Sequence, residues 1–260
     1  MIWIEKALSG IRLNTDSAFF CCVFFRSKRF FAYICVSLGV SFLLCANRNR
    51  KRFCAMMHIA IAGNIGSGKT TLTGLLSKHY KWKPLYEEVD DNPYLNSFYE
   101  DMRRWSFNLQ IYFLNTRFRQ IIDIRKKGKN VIQDRTIYED AYIFAPNLHA
   151  MGLMTTRDFE NYVSLFELMQ SFLQPPDLLI YLRADISTLV RQIQQRGRDY
   201  ESSIRLDYLK SLNERYENWI EHYKQGNLLI VDVNNLDFSN KPEDLGSIIE
   251  RVDAQINGLF

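Results

Sequence analysis

From Met57 onward, short apolar runs alternate with longer segments in which apolar residues recur at helical spacing. The short runs predict strands and the longer, periodic segments predict helices. The predicted strands are Met57 to Ala62, Pro84 to Val89, Asn130 to Asp134, Asp177 to Arg183 and Leu228 to Val233. Strands that alternate with helices in this way are typical of a parallel α/β sheet with crossover helices.

The helical pattern is longest from Pro93 to Lys127, and Gly128 is a typical residue for the end of that helix. The other predicted helices are Thr71 to Tyr80, Tyr138 to Ala150, Thr156 to Leu173, Ile186 to Arg196, Asp207 to Lys224 and Pro242 to Ile256. No internal repeat, low-complexity tract or long linker interrupts these elements. We therefore predict a single compact domain over residues 57 to 260.

Residues 1 to 56 differ from the rest of the chain in charge and in cysteine content. They carry nine Lys and Arg against two acidic residues, whereas the other 204 residues have a net charge of −3. All five cysteines lie in this first segment. The mildly acidic remainder argues against a nucleic-acid surface, and its lack of cysteine is typical of a reduced, cytoplasmic domain.

Two interpretations of residues 1 to 56 stay open. One is a membrane anchor, because Phe30 to Ala46 is a 17-residue stretch without charge, at the lower edge of the length that spans a bilayer. Basic residues flank both of its ends, so the charge bias gives no clear orientation. We favour the other interpretation, a non-core leader of translated upstream sequence, since Met57 begins the first predicted strand. Contact with a membrane would then be absent.

Candidate chemistry follows the first predicted strand directly. The run there is Gly63, Asn64, Ile65, Gly66, Ser67, Gly68, Lys69 and Thr70. It has the spacing of a P-loop, whose backbone N–H groups and helix N-terminus make a concavity that fits a triphosphate. Lys69 is expected to reach the β- and γ-phosphates and Thr70 to ligate Mg²⁺. The pattern therefore predicts an enzyme that uses ATP or GTP.

Polar residues also follow the second and third predicted strands, at the edge where open α/β sheets bind ligands. Glu87 is a candidate base that would deprotonate an attacking hydroxyl, which favours a kinase over a simple NTPase. The three other acidic residues of the same turn are expected to be solvated or to cap a helix. Asp134 and Arg135 end the third strand side by side and suit Mg²⁺ and phosphate respectively.

Together these motifs resemble the deoxyribonucleoside kinase family, in particular the bacterial deoxyadenosine/deoxyguanosine kinase branch, which is similar to deoxycytidine kinase. The resemblance covers about residues 57 to 235. Its motifs are GNIGSGKT, E-x-V at Glu87, DDNPYL, Gln110 in a long aromatic helix, DRT at 134 to 136 followed by IYEDA, PPDLLIYL, and RGRDYE at 196 to 201.

The resemblance implies a P-loop kinase fold: a five-stranded parallel sheet flanked by helices, with an arginine-bearing lid. It implies phosphorylation of the 5′-hydroxyl of a deoxyribonucleoside by ATP and Mg²⁺ in nucleotide salvage. It also suggests a homodimer built on long helices. Glu87 would be the general base at the 5′-hydroxyl, with Arg135 beside it, and Tyr99 and Glu201 would hold the 3′-hydroxyl. Gln110 would make paired hydrogen bonds to the base.

Further roles follow from the same resemblance. Arg196 and Arg198 would close over the transferred phosphoryl group as lid arginines, and Thr70 and Asp134 would lie at the metal. One departure concerns the phosphate donor. Gln192 stands where the deoxycytidine-type enzymes carry an arginine that stacks on the adenine of ATP. The preferred donor base is therefore left open.

Spacing connects the residues expected around the base. Tyr99 and Gln110 are eleven positions apart on the long predicted helix, so both face one pocket. Phe113 and Arg117 share that face, and Phe113 suits core packing and a pocket wall equally. A buried Arg117 needs a partner. Asp140 supplies it in the resembling enzymes, and such a pair favours a base with an exocyclic amine. We predict deoxyadenosine first, with deoxycytidine or deoxyguanosine next.

Two other functions remain as alternatives. A nucleoside-monophosphate kinase of the thymidylate type shares the P-loop and the arginine lid, but Glu87 and Glu201 would repel its acceptor phosphate. A catalytically inactive structural subunit with a kinase fold is the second. The intact Lys69, Asp134 and Arg135 speak against such decay.

Overall fold

The computed structural model of the protein describes most of the chain after residue 55. The described residues are 56–87, 92–198, 201 and 204–257. The predictions for the leader up to residue 55, for the uncharged stretch at 30–46 and for the acidic residues at 88–91 lie outside them. Along the described residues, no helix is long and apolar enough to cross a membrane.

The described residues form one sheet of five parallel strands, which confirms the predicted fold class. The strands are β1 (His58–Gly63), β2 (Lys83–Leu85), β3 (Val131–Asp134), β4 (Leu178–Arg183) and β5 (Asn227–Asp232). Their order is β2-β3-β1-β4-β5, so β1 is central. Ile59 lies opposite Ile132 of β3 and Leu178 of β4. This arrangement gathers the carboxyl ends of the strands at one edge of the sheet.

Helices follow the strands as crossover connections. They are α1 (Lys69–Tyr80), α2 (Leu95–Glu100), α3 (Met102–Lys127), α4 (Ile137–Glu139), α5 (Ala145–Ala150), α6 (Thr156–Gln170), α7 (Ile186–Arg196), α8 (Leu206–Glu221) and α9 (Pro242–Asn257). A π-helical segment, Asp140–Phe144, joins α4 to α5. Such wide turns inside a helix are frequent at functional sites.

The two faces of β1 pack against different partners. Ile59 and Ile61 lie in one core cluster with residues of α1, and Ala60 and Ala62 lie in another with residues of α8. All four side chains are completely buried. The small alanines leave room on their face for large aromatic side chains, among them Tyr216 of α8. The central strand is thereby fixed on both sides just before the P-loop begins.

The prediction of one continuous helix from Pro93 to Lys127 is wrong, because the structure has two helices, α2 and α3, separated at Asp101. This residue is extended, at φ −139° and ψ 85°, and its carboxylate accepts a 3.0 Å hydrogen bond from the backbone N–H of Arg104. Aspartate is a strong helix N-cap, stabilising a helix start by about 1 kcal/mol relative to alanine. Tyr99 and Gln110 therefore lie on different helices, and their spacing along one helix does not explain how they meet.

The second predicted strand also ends early. β2 pairs with β3 only as far as Leu85, instead of continuing to Val89. The backbone carbonyl of Tyr86 then accepts a 3.0 Å hydrogen bond from the side-chain amide of Gln120 on α3. Glu87, the next residue, contacts Arg117 on the same helix.

Candidate active site

The P-loop connects β1 to α1. Gly66 and Gly68 have φ angles of +84° and +91°, a region that residues with a side chain rarely adopt. A Cβ on Gly66 would lie 2.8 Å from the carbonyl oxygen of Leu189, so the loop has no space for one. The structure therefore places the glycines of the sequence motif where backbone conformation and close packing both require them.

Lys69 is buried at the start of α1, and its Nζ donates a 2.8 Å hydrogen bond to the backbone carbonyl of Asn64. Burial, and then repulsion by Arg135, lowers the pKa of Lys69 to about 7, against the attraction of Asp134 and other carboxylates. The negative charge of a bound phosphate would favour the ammonium form, since it opposes both causes.

Asn64 fixes the P-loop to helix α8. Its side-chain amide donates to the carbonyl of Leu209 and to Oδ1 of Asn213, both over 3.1 Å, and its own Oδ1 accepts from the N–H of Ile65 over 2.8 Å. All three polar functions of the side chain are thus engaged. Ser67 beside it is buried, and its hydroxyl has no hydrogen-bond partner among the described residues.

Thr70 and Asp134 meet at the carboxyl edge of the sheet. The hydroxyl of Thr70 donates to Oδ2 of Asp134 over 2.5 Å, while Oδ1 of Asp134 is buried and has no partner among the described residues. Burial raises the pKa of Asp134. An unpartnered carboxylate oxygen beside a hydroxyl fits Mg²⁺. Within the part of the chain that the structure describes, no three His, Cys, Asp or Glu side chains cluster to hold a metal, so further ligands would come from phosphates and water.

The first cavity, with a volume of about 430 Å³, opens beside the P-loop. Its lining includes most of the residues that the sequence predicts for the site: Lys69, Thr70, Glu87, Tyr99, Gln110, Phe113, Arg135, Asp140, Arg196, Arg198 and Glu201. Arg117 is not part of the lining. It is almost completely buried behind Glu87 and Asp140 and contacts both.

Glu87 lies between two guanidinium groups. Arg117 donates from Nη2 to its Oε1 over 2.7 Å, and the Nε of Arg135 lies 3.5 Å from its Oε2. Burial alone would raise the pKa of Glu87. The positive charges of Arg135, Arg117 and Lys69 outweigh burial and lower the pKa to about 2. The carboxylate is therefore ionised throughout the range in which enzymes work.

Arg117 bridges two carboxylates. Its Nε donates to Oδ2 of Asp140, which lies in the π-helical segment, while its Nη2 binds Glu87. Burial lowers the pKa of Arg117, but Asp140 and Glu87 reverse that effect and raise it above its ordinary value. The guanidinium also lies 5.1 Å from the centre of the Phe113 ring. Phe113 is buried and lines the first cavity as well, so it serves both as core and as wall.

Gln110 supplies an unused acceptor to the first cavity. Its side chain is almost completely buried, and its Oε1 has no hydrogen-bond partner among the described residues. A buried amide oxygen without a partner is costly, by about 1–3 kcal/mol. A ligand that carries an N–H group at this place would satisfy it.

The two arginines predicted to belong to a lid, Arg196 and Arg198, line the same cavity. Arg196, the last residue of α7, binds Glu201 through two hydrogen bonds, one of them from Nε to Oε2 over 3.0 Å. Nη1 of Arg198 lies 3.7 Å from the same carboxylate. Glu201 is almost completely buried and lines the cavity. The structure thus brings Arg196, Arg198 and Glu201 together, as the sequence predicts, at one cavity.

Two buried polar residues beside Arg135, Glu139 and Tyr216, were not predicted as site residues from the sequence. Glu139 is completely buried, and its Oε2 accepts a 2.7 Å hydrogen bond from the N–H of Thr136. The hydroxyl of Tyr216 donates to Oε1 of Glu139 and accepts from Nη1 of Arg135, both over 2.8 Å. The spacing of Thr136 and Glu139 is that of a helix capping box, which the sequence does contain. Tyr216 has no comparable local signal, because it lies 81 positions after Arg135.

A second cavity, of about 560 Å³, adjoins the P-loop as well. Gly68 and Thr71 line it with Arg191 and Gln192 of α7 and with the segment 236–240, which follows β5. A Cβ on Gly68 would lie 2.9 Å from the ring of Phe238, so this segment packs closely on the loop. Arg191 and Gln192 are both among the residues that line this cavity.

Comparison with known proteins agrees with this geometry. The profile of the deoxynucleoside kinase family matches residues 59–257. A deoxyadenosine/deoxycytidine kinase of Bacillus subtilis (strain 168) is 41% identical over 202 residues, which cover 76% of this chain and 93% of that protein. A deoxyguanosine kinase of Lactobacillus johnsonii is 39% identical over 213 residues, covering 78% of this chain and 94% of that protein.

Solved structures of a deoxyadenosine kinase from M. mycoides are also similar. One, with the products dCMP and dCDP bound, superimposes with a TM-score of 0.69 at 30% identity and covers 76% of this chain and all of the other. Another, with bound dATP, has a TM-score of 0.68.

Proposed function

The chain belongs to the deoxynucleoside kinase family, and from that premise we propose that it transfers the γ-phosphoryl group of ATP, with Mg²⁺, to the 5′-hydroxyl of deoxyadenosine. Deoxycytidine and deoxyguanosine are the next acceptors in our proposal. The observation that carries it is the first cavity, where the P-loop residues Lys69 and Thr70, the ionised Glu87 and the unpartnered oxygen of Gln110 line one space.

The donor side is supported by the P-loop and the second cavity. The P-loop offers its backbone N–H groups and Lys69 to a triphosphate. Thr70 and Asp134 would hold Mg²⁺, which would neutralise charge on the phosphates. The second cavity adjoins the loop and is large enough to take part of a nucleotide, at about 560 Å³. We propose a cytoplasmic enzyme, because export would separate it from ATP.

The acceptor side is supported by the position of Glu87. With a pKa of about 2 it is a weak base, but it is anionic and accepts a hydrogen bond from a hydroxyl. Phosphoryl transfer passes through a loose transition state, in which positioning contributes more than early proton removal. The 5′-hydroxyl would be oriented by Glu87 and Arg135, and its proton would pass to Glu87 as the bond to phosphorus forms. Tyr99 and Glu201 would hold the 3′-hydroxyl.

The preference for a base with an amine rests on Gln110 and Asp140. The Oε1 of Gln110 needs a donor, and the Asp140 carboxylate also lines the first cavity. The exocyclic amine of adenine or cytosine is such a donor. Thymine could satisfy Gln110 through its ring N–H, but it has no amine for the carboxylate of Asp140, so Asp140 carries the preference. A monophosphate acceptor fits poorly, because Glu87 and Glu201 line the same cavity and would repel its phosphate.

One panel of substrates tests this proposal. Eight nucleosides and deoxynucleosides would be incubated with ATP and Mg²⁺, and the formation of 5′-monophosphates would be measured. We expect deoxyadenosine to have the highest kcat/KM and ribonucleosides to be poorer. Conversion of monophosphates to diphosphates, without phosphorylation of any nucleoside, would contradict the proposal.

We also propose a homodimer. Leu168 of α6 and the nearby Phe172 are 64% and 61% exposed, which is unusual for large apolar side chains. Gln170, which lies between them in the sequence, donates a hydrogen bond to the hydroxyl of the exposed Tyr142. A second copy of the chain is the occupant we propose for this surface. Light scattering of purified protein should give twice the monomer mass, and replacement of Leu168 and Phe172 by glutamate should give monomers.

A further inference from the structure

We propose that Tyr216 is a positioning residue for Arg135, holding the guanidinium where it meets the acceptor hydroxyl. The inference rests on the role proposed above for Arg135. Tyr216 does not line the first cavity and is completely buried in α8, so it acts on the reaction only through Arg135 and Glu139.

Arg135 needs contacts that hold it in place, because its backbone conformation is strained and its charged side chain is buried. Its φ angle is +66°, in the left-handed region that non-glycine residues rarely adopt. Its guanidinium is buried, 4.6 Å from the centre of the Phe144 ring. The carboxylates of Glu87 and Glu139 lie 3.5 and 3.7 Å from its nitrogens, too far for good hydrogen bonds.

Tyr216 provides the shorter contact. Its hydroxyl lies 2.8 Å from Nη1 of Arg135, whereas Nε of Arg135 is buried and has no hydrogen-bond partner among the described residues. Nη1 is thus fixed and Nε is left to donate. The Nε atom is also the one nearest to Glu87. A substrate hydroxyl beside Glu87 would therefore lie near Nε of Arg135 and could accept the hydrogen bond that Nε does not make within the protein.

The hydroxyl of Tyr216 has one orientation. It donates its proton to Oε1 of Glu139 over 2.8 Å, so a lone pair must face Arg135. Glu139 is fixed in turn by Thr136 and by the N–H of Gly63, which lies 3.3 Å from Oε1. The chain of contacts therefore joins Arg135 to the first residue of the P-loop. These contacts fix the position of Arg135 relative to the P-loop.

Packing fixes the ring of Tyr216 as well. It stacks on Tyr181 of β4, with centroids 5.9 Å apart and planes 18° apart, and meets Phe144 edge-on at 6.4 Å. Tyr216→Phe would keep these contacts and remove only the hydroxyl. Tyr181→Phe is the matched control, because Tyr181 is equally buried and also donates to a carboxylate of α8, Glu217, over 2.8 Å.

The experiment compares these two variants in steady-state kinetics and in thermal unfolding. For Tyr216→Phe we expect kcat to fall by about ten-fold or more, the effect of losing one hydrogen bond to a buried charge. The KM for ATP should stay within about two-fold, because the contacts of Lys69 and Thr70 are unchanged. Tyr181→Phe should keep kcat near that of the unmodified enzyme, with a similar shift of Tm.

Double variants separate positioning from a general loss of stability. In an Arg135→Ala background, Tyr216→Phe should cause no further loss of kcat, because its effect passes through the arginine. Losses that multiply, or a Tyr216→Phe variant as active as Tyr181→Phe, would overturn the inference. If Arg135→Ala is itself fully active, the proposed role of Arg135 fails instead.

Glu139→Gln keeps the test decisive if Tyr216→Phe does not fold. Glutamine has one acceptor oxygen where Glu139 has two, so it cannot accept from both the N–H of Thr136 and the hydroxyl of Tyr216, and the orientation of the Tyr216 hydroxyl is lost. We expect the same fall in kcat and the same lack of a further effect in the Arg135→Ala background. An unchanged kcat for Glu139→Gln would then overturn the inference.

Discussion

Arg117 donates a 2.7 Å hydrogen bond to Glu87, 30 positions earlier in the chain, while its other edge binds Asp140. Asp140 lies where the base of the acceptor is proposed to bind, and Glu87 lies where the hydroxyl is proposed to react. The guanidinium of Arg117 therefore connects the part of the first cavity where the base is proposed to bind with the part where phosphoryl transfer is proposed to occur. A substitution at Asp140 should therefore change the behaviour of Glu87, and a substitution at Glu87 should change base preference.

Loss of the carboxylate at Glu87 should abolish most of the activity. We expect Glu87→Gln to lower kcat by about 10²-fold or more, the usual range for loss of a general base, with little change in ATP binding. Steady-state kinetics and ATP titration measure the two effects. Glu250→Gln, at an exposed position of α9, is the control. Near-normal turnover by Glu87→Gln would remove Glu87 from the mechanism.

The dependence of kcat/KM on pH should show the effect of the positive charges around Glu87 on the pKa of its carboxylate. Glu87, with a pKa of about 2, should stay ionised down to about pH 4.5, so an acid limb above that pH in the unmodified enzyme would come from Asp140, whose pKa burial raises to about 6. In Arg117→Met/Asp140→Asn one of the charges that lower the pKa of Glu87 is gone, so that pKa rises and the acid limb moves to higher pH. Asp140→Asn alone keeps the Arg117 contact and is the control. Identical acid limbs in both variants would contradict this account.

Specificity should follow the pair Arg117 and Asp140. Replacement of both by apolar residues should weaken the use of deoxyadenosine and relatively improve thymidine, because no buried charge then requires an amine-bearing base. The ratio of kcat/KM for the two substrates is the measurement. Arg183→Met/Glu217→Gln removes a half-exposed ion pair away from the cavity and should leave the ratio unchanged. A ratio unaffected by the first double variant would mean that this pair does not set specificity.

The need for Mg²⁺ should increase when Asp134 loses its charge. We expect Asp134→Asn to raise the Mg²⁺ concentration at half-maximal activity by roughly 10- to 100-fold, the usual effect of weakening a metal site. Asp232→Asn changes an exposed aspartate that also ends a strand, at β5, and serves as the control. Equal Mg²⁺ dependence in the two variants would argue against a metal at Asp134.

A protein that begins at Met57 should fold and phosphorylate deoxyadenosine as well as the full chain. The reason is that β1 starts at His58 and the sheet is completed by later strands. The measurements are kcat/KM and Tm for both forms, together with mass spectrometry of the native N-terminus. Activity lost on truncation would contradict the proposal of a non-core leader. Peptides from residues 1 to 50 in the mature protein would contradict an internal start.

The family, the parallel sheet and the deoxynucleoside kinase function were predictable from the sequence, because each depends on local signals. The P-loop run, the strand ends and the order of the motifs are all contiguous in the chain. These predictions are confirmed by the family profile, the relatives and the similar structures. The roles of individual site residues remain predictions for the experiments above.

What the sequence did not reveal depends on contacts between distant residues or on competition between neighbours. The pattern of apolar residues continues through Asp101, but the carboxylate there competes for a backbone N–H and starts a new helix. Tyr216 lies on an ordinary amphipathic helix, and only the fold brings its hydroxyl to Arg135. A periodic pattern places a side chain on a face of its helix but does not identify its partner on another element.

The central position of β1 has a consequence for biosynthesis. Ile59 of β1 pairs with Leu178 of β4, which lies 119 positions later in the chain. At about 5–20 residues per second, the ribosome needs roughly 6–24 seconds after making β1 to reach β4. During that time the edge of β1 that will pair with β4 is open to other nascent chains. We therefore expect productive folding of this enzyme to gain more from chaperones that bind nascent chains than its modest size suggests.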